Sequence, residues 1–232
     1  MKFDIVKASA TSNISSRVSQ VMKEFDMTFD HAQEHFEGDI DIDGKEWSIG
    51  LIVGGSGTGK STIAKELFAD GYVSGQEYKS ESVLDDMPND ATLQEIEMAF
   101  TSVGFASPPS WLKPYEVLST GEKMRVDLAR AILSKEPLIC FDEFTSVVDR
   151  EIAKTASLAI SKAIRKTSKK FVAVSCHRDI IEWLSPNWVY DTDSKSFFGL
   201  GALKSPISEL TSTELITGIR NKCGRYLGSI TI

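Results

Sequence analysis

Eight consecutive residues carry the clearest chemistry in the chain: Gly54, Gly55, Ser56, Gly57, Thr58, Gly59, Lys60 and Ser61. Glycines let a backbone curl round an anion without Cβ clashes. Successive N–H groups at a helix start then face that anion. In this pattern, GxxxxGK[ST], the lysine adds a point charge for the outer phosphates of a nucleoside triphosphate. The Ser61 hydroxyl can ligate Mg2+, and Thr62 extends the same first turn. A glycine-rich turn that happens to precede a lysine is the bland alternative. The context argues against it, because a nearly continuous apolar run over 47–53 comes before and a helix over about 60–69 comes after.

A second group completes the chemistry. Leu138-Ile139-Cys140-Phe141 is an apolar strand that delivers Asp142 and Glu143 at its end. In open parallel sheets nucleotides bind at the C-terminal ends of strands. Asp142 is therefore placed to hold Mg2+, directly or through water, and Glu143 to polarise an attacking water as general base. Without the glycine loop, an acidic turn in solvent would be the better reading of these two carboxylates.

These residues need strands and helices to hold them. Apolar spacing predicts a helix over 13–25 behind an Asn13 cap, a loosely alternating strand over 35–42 and the buried strand before the glycine loop. A short strand is predicted at Ser82-Val83-Leu84. A Thr92/Glu95 capping box opens a helix running to about 103, and a stiff proline loop follows over 108–114. Further helices are predicted over 121–133, to about 166, and around 180–184. Strands are predicted over 138–142, 171–175 and 188–191. Strands alternating with helices imply a mostly parallel sheet covered by helices. The tail after Gly199 has no clear period.

The stretch Leu118-Ser119-Thr120-Gly121-Glu122-Lys123-Met124-Arg125-Val126-Asp127-Leu128-Ala129-Arg130 narrows the class. It resembles the signature of the ABC ATPase superfamily, LSGGQ followed by a basic and apolar helix. Ser146-Val147-Val148-Asp149 looks like the D-loop of that superfamily, and His177, after an apolar strand, looks like its switch histidine. The resemblance implies a P-loop NTPase of the ABC type: a mostly parallel sheet flanked by helices, a small antiparallel β part near the N-terminus and a reduced helical subdomain over about 85–118. It implies ATP and Mg2+ as ligands and ATP hydrolysis as the reaction. Glu143, His177 and Lys60 are the implied catalytic residues, and Ser61 and Asp142 the metal ligands. Nucleotide contacts are implied for residues 54–62 and, across a head-to-tail dimer, for Ser119, Gly121, Glu122 and Asp149.

Departures from the pattern are specific. Thr120 stands for a glycine and Glu122 for a glutamine; Glu here is also seen in the chromosome-associated branch. The glutamine expected ahead of the signature is not evident, since Gln76 comes too early and Gln94 falls in a predicted helix. Asp85 or Asp86 is the expected substitute. Phe25 or Phe29 is the expected adenine-stacking aromatic. Only 59 positions separate Lys60 from Ser119, so the docking surface used by transporter cassettes must be reduced. Residues 103–115, 144–150 and 174–177 look like soluble ABC ATPases found alone or fused to a GNAT-type acetyltransferase. The tail is too short to carry that second activity. The implied organisation is an N-terminal helical segment over 1–24, the ATPase domain over 25–199 and a tail over 200–232.

Composition bounds the function. The chain has 232 residues, 41% of them apolar, and a net charge of −7, which argues for a globular core and against a general nucleic-acid coat. No apolar run reaches 18 residues, so membrane insertion is not expected. Cys140, Cys176 and Cys223 are scattered, which suits a reducing cytoplasm. His31 and His35 read as surface residues. A basic run, Arg165-Lys166 with Lys169-Lys170, reads as a solvated helix end. The expected function is a soluble ABC-type ATPase acting on an unidentified protein or nucleic-acid partner. The alternatives are a nucleic-acid-linked ATPase of repair or chromosome type and, further off, a transporter subunit. A small-molecule kinase would leave the Ser119 signature unexplained.

Overall fold

In the computed structural model the central strand is β3 (Ile49–Val53), and all five of its residues are buried. Strand β6 (Lys170–Ser175) flanks it on one side and β7 (Trp188–Asp191) on the other, both parallel to it. The structure describes residues 1–8, 15–26, 33–73 and 75–199. The main sheet has the order β4-β5-β6-β3-β7-β8. Strands β4 (Tyr72–Val73) and β5 (Leu138–Phe141) continue the parallel run, and β8 (Ser196–Gly199) closes it antiparallel. Register aligns the strand ends: Val53 pairs with Ser175 and Asp191, and Val73 with Phe141. Each of these strands therefore delivers its following loop to the same edge.

Burial on both faces explains the apolar strands, since each covers a different helix layer. One face packs Leu51, Ile139, Phe171 and Ala173 against α3 (Leu93–Ser102), α5 (Thr120–Leu133) and α6 (Arg150–Ile164). The other packs Ile52, Cys140, Val172 and Trp188 against α2 (Lys60–Leu67) and a second sheet. Gly50 makes the space for Trp188; a Cβ there would lie 2.0 Å from the indole. Two one-turn helices, α4 (Pro108–Trp111) and α7 (Ile180–Leu184), complete the frame. Of the stretch expected as a proline loop over 108–114, residues 108–111 are helical, since Pro108 sits in the first turn where its missing N–H costs nothing, and 112–114 are not.

The second sheet is an antiparallel ribbon of β1 (Lys2–Ala8) and β2 (Gln33–Asp39). The segment expected as helical over 1–24 therefore opens with a strand. Phe3 turns into the core while Lys2, Asp4 and Val6 stay at or near the surface. The helix that follows, α1 (Ser16–Glu24), is capped by Ser15 rather than Asn13, with the Ser15 hydroxyl accepting from the Val18 amide at 3.3 Å. Ser82-Val83-Leu84 is a turn, not a strand. The Val83 and Leu84 amides donate to the carbonyls of Lys113 and Trp111 instead of joining a sheet. Asn13, Phe29, His31, Cys223 and the tail over 200–232 lie outside the described residues.

Candidate nucleotide site

The loop 54–61 leaves β3 and enters α2 at Lys60. Gly59 caps α2 with φ +83°, and no side chain caps that helix. The first-turn amides thus have no competing internal acceptor, which is the geometry that receives a phosphate. A Cβ on Gly59 would sit 2.3 Å from the Phe36 ring of β2. The second sheet therefore presses on the loop from outside, and only glycine satisfies both the dihedral and the space. The Lys60 ammonium folds back onto the Gly55 carbonyl.

The loop is also braced from the β7–β8 turn. The Gly55 amide donates to both Asp193 oxygens, at 3.0 and 3.1 Å. Arg178 holds Asp193 and also reaches buried Asp191 at 3.0 Å. Burial pushes the Asp193 carboxyl up, but Arg178 and the Gly55 amide outweigh it and leave the carboxyl below its ordinary range. Thr58 donates to the Gly55 carbonyl at 2.9 Å and stands 2.6 Å from the Thr192 hydroxyl. Arg178 directly follows His177, so one guanidinium ties the histidine loop to the glycine loop.

At the end of β5 the Ser61 hydroxyl donates to Asp142 Oδ1 at 3.1 Å. The sequence sets these two residues 81 positions apart and the fold brings them together. Tyr72 of β4 donates its hydroxyl to the other oxygen of Asp142, and its own pKa is raised by burial and by that carboxylate. A hydroxyl and a carboxylate in contact fit Mg2+, which takes few protein ligands and keeps its remaining positions for water and phosphate. Among the described residues there is no cluster of three or more His, Cys, Asp or Glu that could hold a metal alone.

Glu143 is exposed at φ +53° and Thr145 lies at φ +64°. Left-handed backbone at non-glycine residues costs about 1–2 kcal/mol each. Buried Phe144 holds the turn between them, its amide donating to the Val174 carbonyl at 2.8 Å. Strain of this kind persists at sites that must aim a side chain. His177 is anchored by its amide to the Ser175 hydroxyl at 3.1 Å, and its buried Nδ1 has no hydrogen-bond partner. It shares that state with a few other buried polar atoms, among them Thr145 Oγ1 of the neighbouring strained turn.

Ser119 and Glu122 form a capping box at the start of α5. The Ser119 amide and hydroxyl both donate to Glu122 Oε2, at 3.0 and 2.7 Å, while Ser110 donates to Oε1 at 2.9 Å. These contacts hold the Glu122 carboxyl below its ordinary range, the Ser119 hydroxyl contributing most. Both Ser119 donors are thus engaged at home. Asp149 likewise caps α6, accepting from the Ile152 amide at 2.9 Å. A Cβ on Gly121 would meet Ile152 at 3.0 Å, so this glycine lets α5 approach α6. Among the described residues, no hydrogen bond or ion pair joins Ser119, Gly121 or Glu122 to the glycine loop of the same chain.

Two clefts flank this edge. One, of about 320 Å³, lies between Phe36, Thr58, Thr192 and Asp193 beside the glycine loop. The other, of about 270 Å³, is lined by Gln76, Thr120, Lys123, Asp142 and Glu143. Gln76 thus lines the same cleft as Asp142 and Glu143, whereas Asp85 and Asp86 do not. Asp86 is spent on the Lys79 and Ser80 amides at 3.0 and 3.2 Å, and Asp85 on the Ser82 hydroxyl at 2.7 Å. The signal for Gln76 is its place three residues after Tyr72-Val73, a strand too short to show a period. Phe25 is exposed at the end of α1, and the aromatic set against the loop is Phe36. Nothing in the periodicity distinguishes Phe36 from a core residue. Two members of the basic run serve the fold: Lys169 donates to the carbonyls of Ser134 and Glu136, and Arg165 to that of Ser185, while Lys166 and Lys170 are exposed.

No protein-family model matches the chain. It is similar to the mitochondrial iron-sulfur clusters transporter ABCB7 of Oryzias latipes, 26% identical over 185 residues covering 60% of this chain and 25% of that protein. Similarity to the same transporter from Homo sapiens is 28% over 193 residues, covering 63% and 26%. The chain spans about a quarter of the length of these curated relatives. Among solved structures it resembles a bacterial Atm1-family ABC exporter with ATP bound, at a TM-score of 0.55 and 17% identity over 88% of this chain and 41% of the other. A dimeric bacterial ABC transporter cassette gives 0.52 and 16%, over 68% and 87%. The chain has the fold of an ABC ATP-binding cassette, α/β with a mostly parallel sheet and a small antiparallel one. Among the described residues no helix is long and apolar enough to cross a membrane.

Proposed function

We propose that this chain binds and hydrolyses ATP, and that each complete site forms between two copies arranged head to tail. The observation that carries the proposal is the Ser61–Asp142 contact, which joins the phosphate-binding loop to the carboxylate strand at 3.1 Å. Residues 54–62 cradle the phosphates with backbone amides, and Lys60 turns from the Gly55 carbonyl to the outer phosphates. Ser61 and Asp142 would hold Mg2+, which would supply positive charge to offset that of the phosphates. Glu143, aimed by its strained turn, polarises the attacking water, and His177 offers its ring to the γ-phosphate. Gln76 bounds the same cleft as Glu143.

The signature helix calls for a second copy, because Ser119 and the glycine loop share no contact within one chain. In the closed dimer Ser119 gives up its hydroxyl bond to Glu122 and turns it to the partner's nucleotide. We assign the chain to stand-alone cassettes driving a separate partner, on the short span between Lys60 and Ser119. The proposed ATPase domain takes in residues 1–8 as well as the span to 199, since β1 pairs with β2 and Phe3 joins the core, and the tail over 200–232 stays a separate segment. A reducing cytoplasmic setting, which free Cys140 and Cys176 suit, belongs to this proposal as well. The ABCB7 similarity favours a second reading, a cassette docked on a membrane partner. Engagement of Arg165 and Lys169 with backbone carbonyls, together with the net charge of −7, weighs against the nucleic-acid reading.

The test is Glu143→Gln with purified protein and ATP–Mg2+. Turnover should fall at least about a hundredfold, the size of a general-base contribution, while ATP binding persists. Unchanged turnover would remove Glu143 from the mechanism. Co-purification of an integral membrane protein with the Glu143→Gln form would favour the second reading.

A further inference from the structure

The Gln76 loop and the signature helix meet at a carboxylate that the proposed reaction does not use. Asp127 of α5 is half-buried. The Tyr78 hydroxyl donates to its Oδ1 at 2.7 Å and the Tyr115 hydroxyl to its Oδ2 at 2.8 Å. The two tyrosine rings are stacked, with centroids 3.9 Å apart and planes 2° from parallel. Arg130 stands 4.9 Å from the Tyr78 ring centre and Lys123 5.4 Å from that of Tyr115. Three segments thus converge: the stretch after β4, the approach to α5, and α5 itself.

Gln76 leans on this assembly with both ends of its amide. Its Nε2 donates to the Asp127 carbonyl at 3.3 Å, and its Oε1 stands 3.3 Å from the Tyr78 hydroxyl. A tyrosine hydroxyl has one proton to give. At 2.7 Å from a carboxylate and 3.3 Å from a neutral amide, it gives that proton to Asp127. Gln76 Oε1 therefore receives no proton from Tyr78; the side chain is held by its Nε2 bond to α5 and by the loop that Tyr78, two residues on, pins to Asp127, and it also lines the cleft that holds Asp142 and Glu143. Burial raises the Asp127 carboxyl above its ordinary range against the pull of both tyrosines, Arg130 and Lys123.

We propose that Asp127, Tyr78 and Tyr115 form a positioning unit that sets where the Gln76 side chain stands relative to Glu143 and ties that position to the signature helix. The inference rests on the ATPase reading above.

The experiment measures steady-state ATP hydrolysis, ATP binding and thermal unfolding for Tyr78→Phe, Gln76→Ala, their double variant and Asp127→Asn. Phenylalanine keeps the stacked ring and removes only the hydroxyl. Expected for Tyr78→Phe is a kcat lower by about fivefold to twentyfold with KM within about twofold, the scale of coupling between contacting groups. The double variant should be no slower than Gln76→Ala alone. Asp127→Asn, which keeps one acceptor for two hydroxyls, should behave like Tyr78→Phe and serves if that variant is poorly folded. Wild-type kcat in the single variants, or losses that multiply in the double variant, would overturn the inference while leaving the ATPase reading intact. A wild-type chain that binds no ATP or does not hydrolyse it would overturn both.

Discussion

Replacing Glu122 by alanine tests whether the signature helix must be pre-ordered to act. The carboxylate accepts from the Ser119 amide, the Ser119 hydroxyl and the Ser110 hydroxyl. Loss of such a cap costs about 1 kcal/mol, and the link to Ser110 adds about another for a partly exposed hydrogen bond. Ordering Ser119 on closure would then cost about 2 kcal/mol, of which about 1 is offset because the variant has no Ser119–Glu122 hydroxyl bond to give up; the net of about 1 kcal/mol is about fivefold in the dimer dissociation constant at 1.4 kcal/mol per decade. Glu122→Gln keeps the geometry with a neutral acceptor and should lose much less. Sedimentation of each variant in the Glu143→Gln background, titrated with protein at saturating ATP, measures this directly. The pH dependence gives a second handle. Because the folded pKa of Glu122 is depressed, its contribution is fully present above the ordinary glutamate value near pH 4.3 and is lost as pH falls through the folded value. Thermal unfolding of wild type and Glu122→Gln should therefore differ at neutral pH and converge only once the pH has fallen below that depressed folded value. If Glu122→Ala dimerises as tightly as its parent, the capping argument is wrong.

Other substitutions address the remaining parts of the site. Gly59→Ala meets both a left-handed dihedral and the Phe36 ring. Costs of about 1–2 and 1–3 kcal/mol should weaken binding of a fluorescent ATP analogue by at least about thirtyfold, and near-normal binding would contradict the packing. Gln76→Ala should lower kcat by about tenfold or more, whereas Asp85→Ala should leave it within about twofold. The reverse pattern would restore the assignment to Asp85. His177→Ala should cut turnover by at least about tenfold without changing the unfolding temperature by more than a degree or two, and an equal loss of stability would mark His177 as structural.

The glycine loop, the carboxylate strand and the long amphipathic helices were legible because each repeats a strong local rule. The glycine pattern sits between a buried run and a helix, and Thr92 with Glu95 spells its capping box. What stayed hidden was set by tertiary contact. Strand β4 is two residues long and exists because β5 accepts it, so Gln76 looked misplaced and Val83-Leu84 looked like the strand instead. Strand β1 was obscured because Lys2, Asp4 and Lys7 read only as charges, while its partner β2 lies more than two dozen residues away. Tyr72 on Asp142 and Arg178 between Asp191 and Asp193 join residues distant in sequence, with no period to announce them. The cap at Ser119 was readable from Ser119 and Glu122, yet its consequence, that both Ser119 donors are engaged at home, needed the distances.

The central claim is that ATP joins two copies of this chain, the Lys60 loop of one facing the Ser119 helix tip of the other. Sedimentation velocity of the Glu143→Gln form, with and without ATP–Mg2+, tests it most directly. The account requires a nucleotide-dependent shift from one chain to two that Ser119→Arg abolishes. A species that stays single at saturating, demonstrably bound ATP, together with normal hydrolysis by Ser119→Arg in the otherwise wild-type chain, would contradict it.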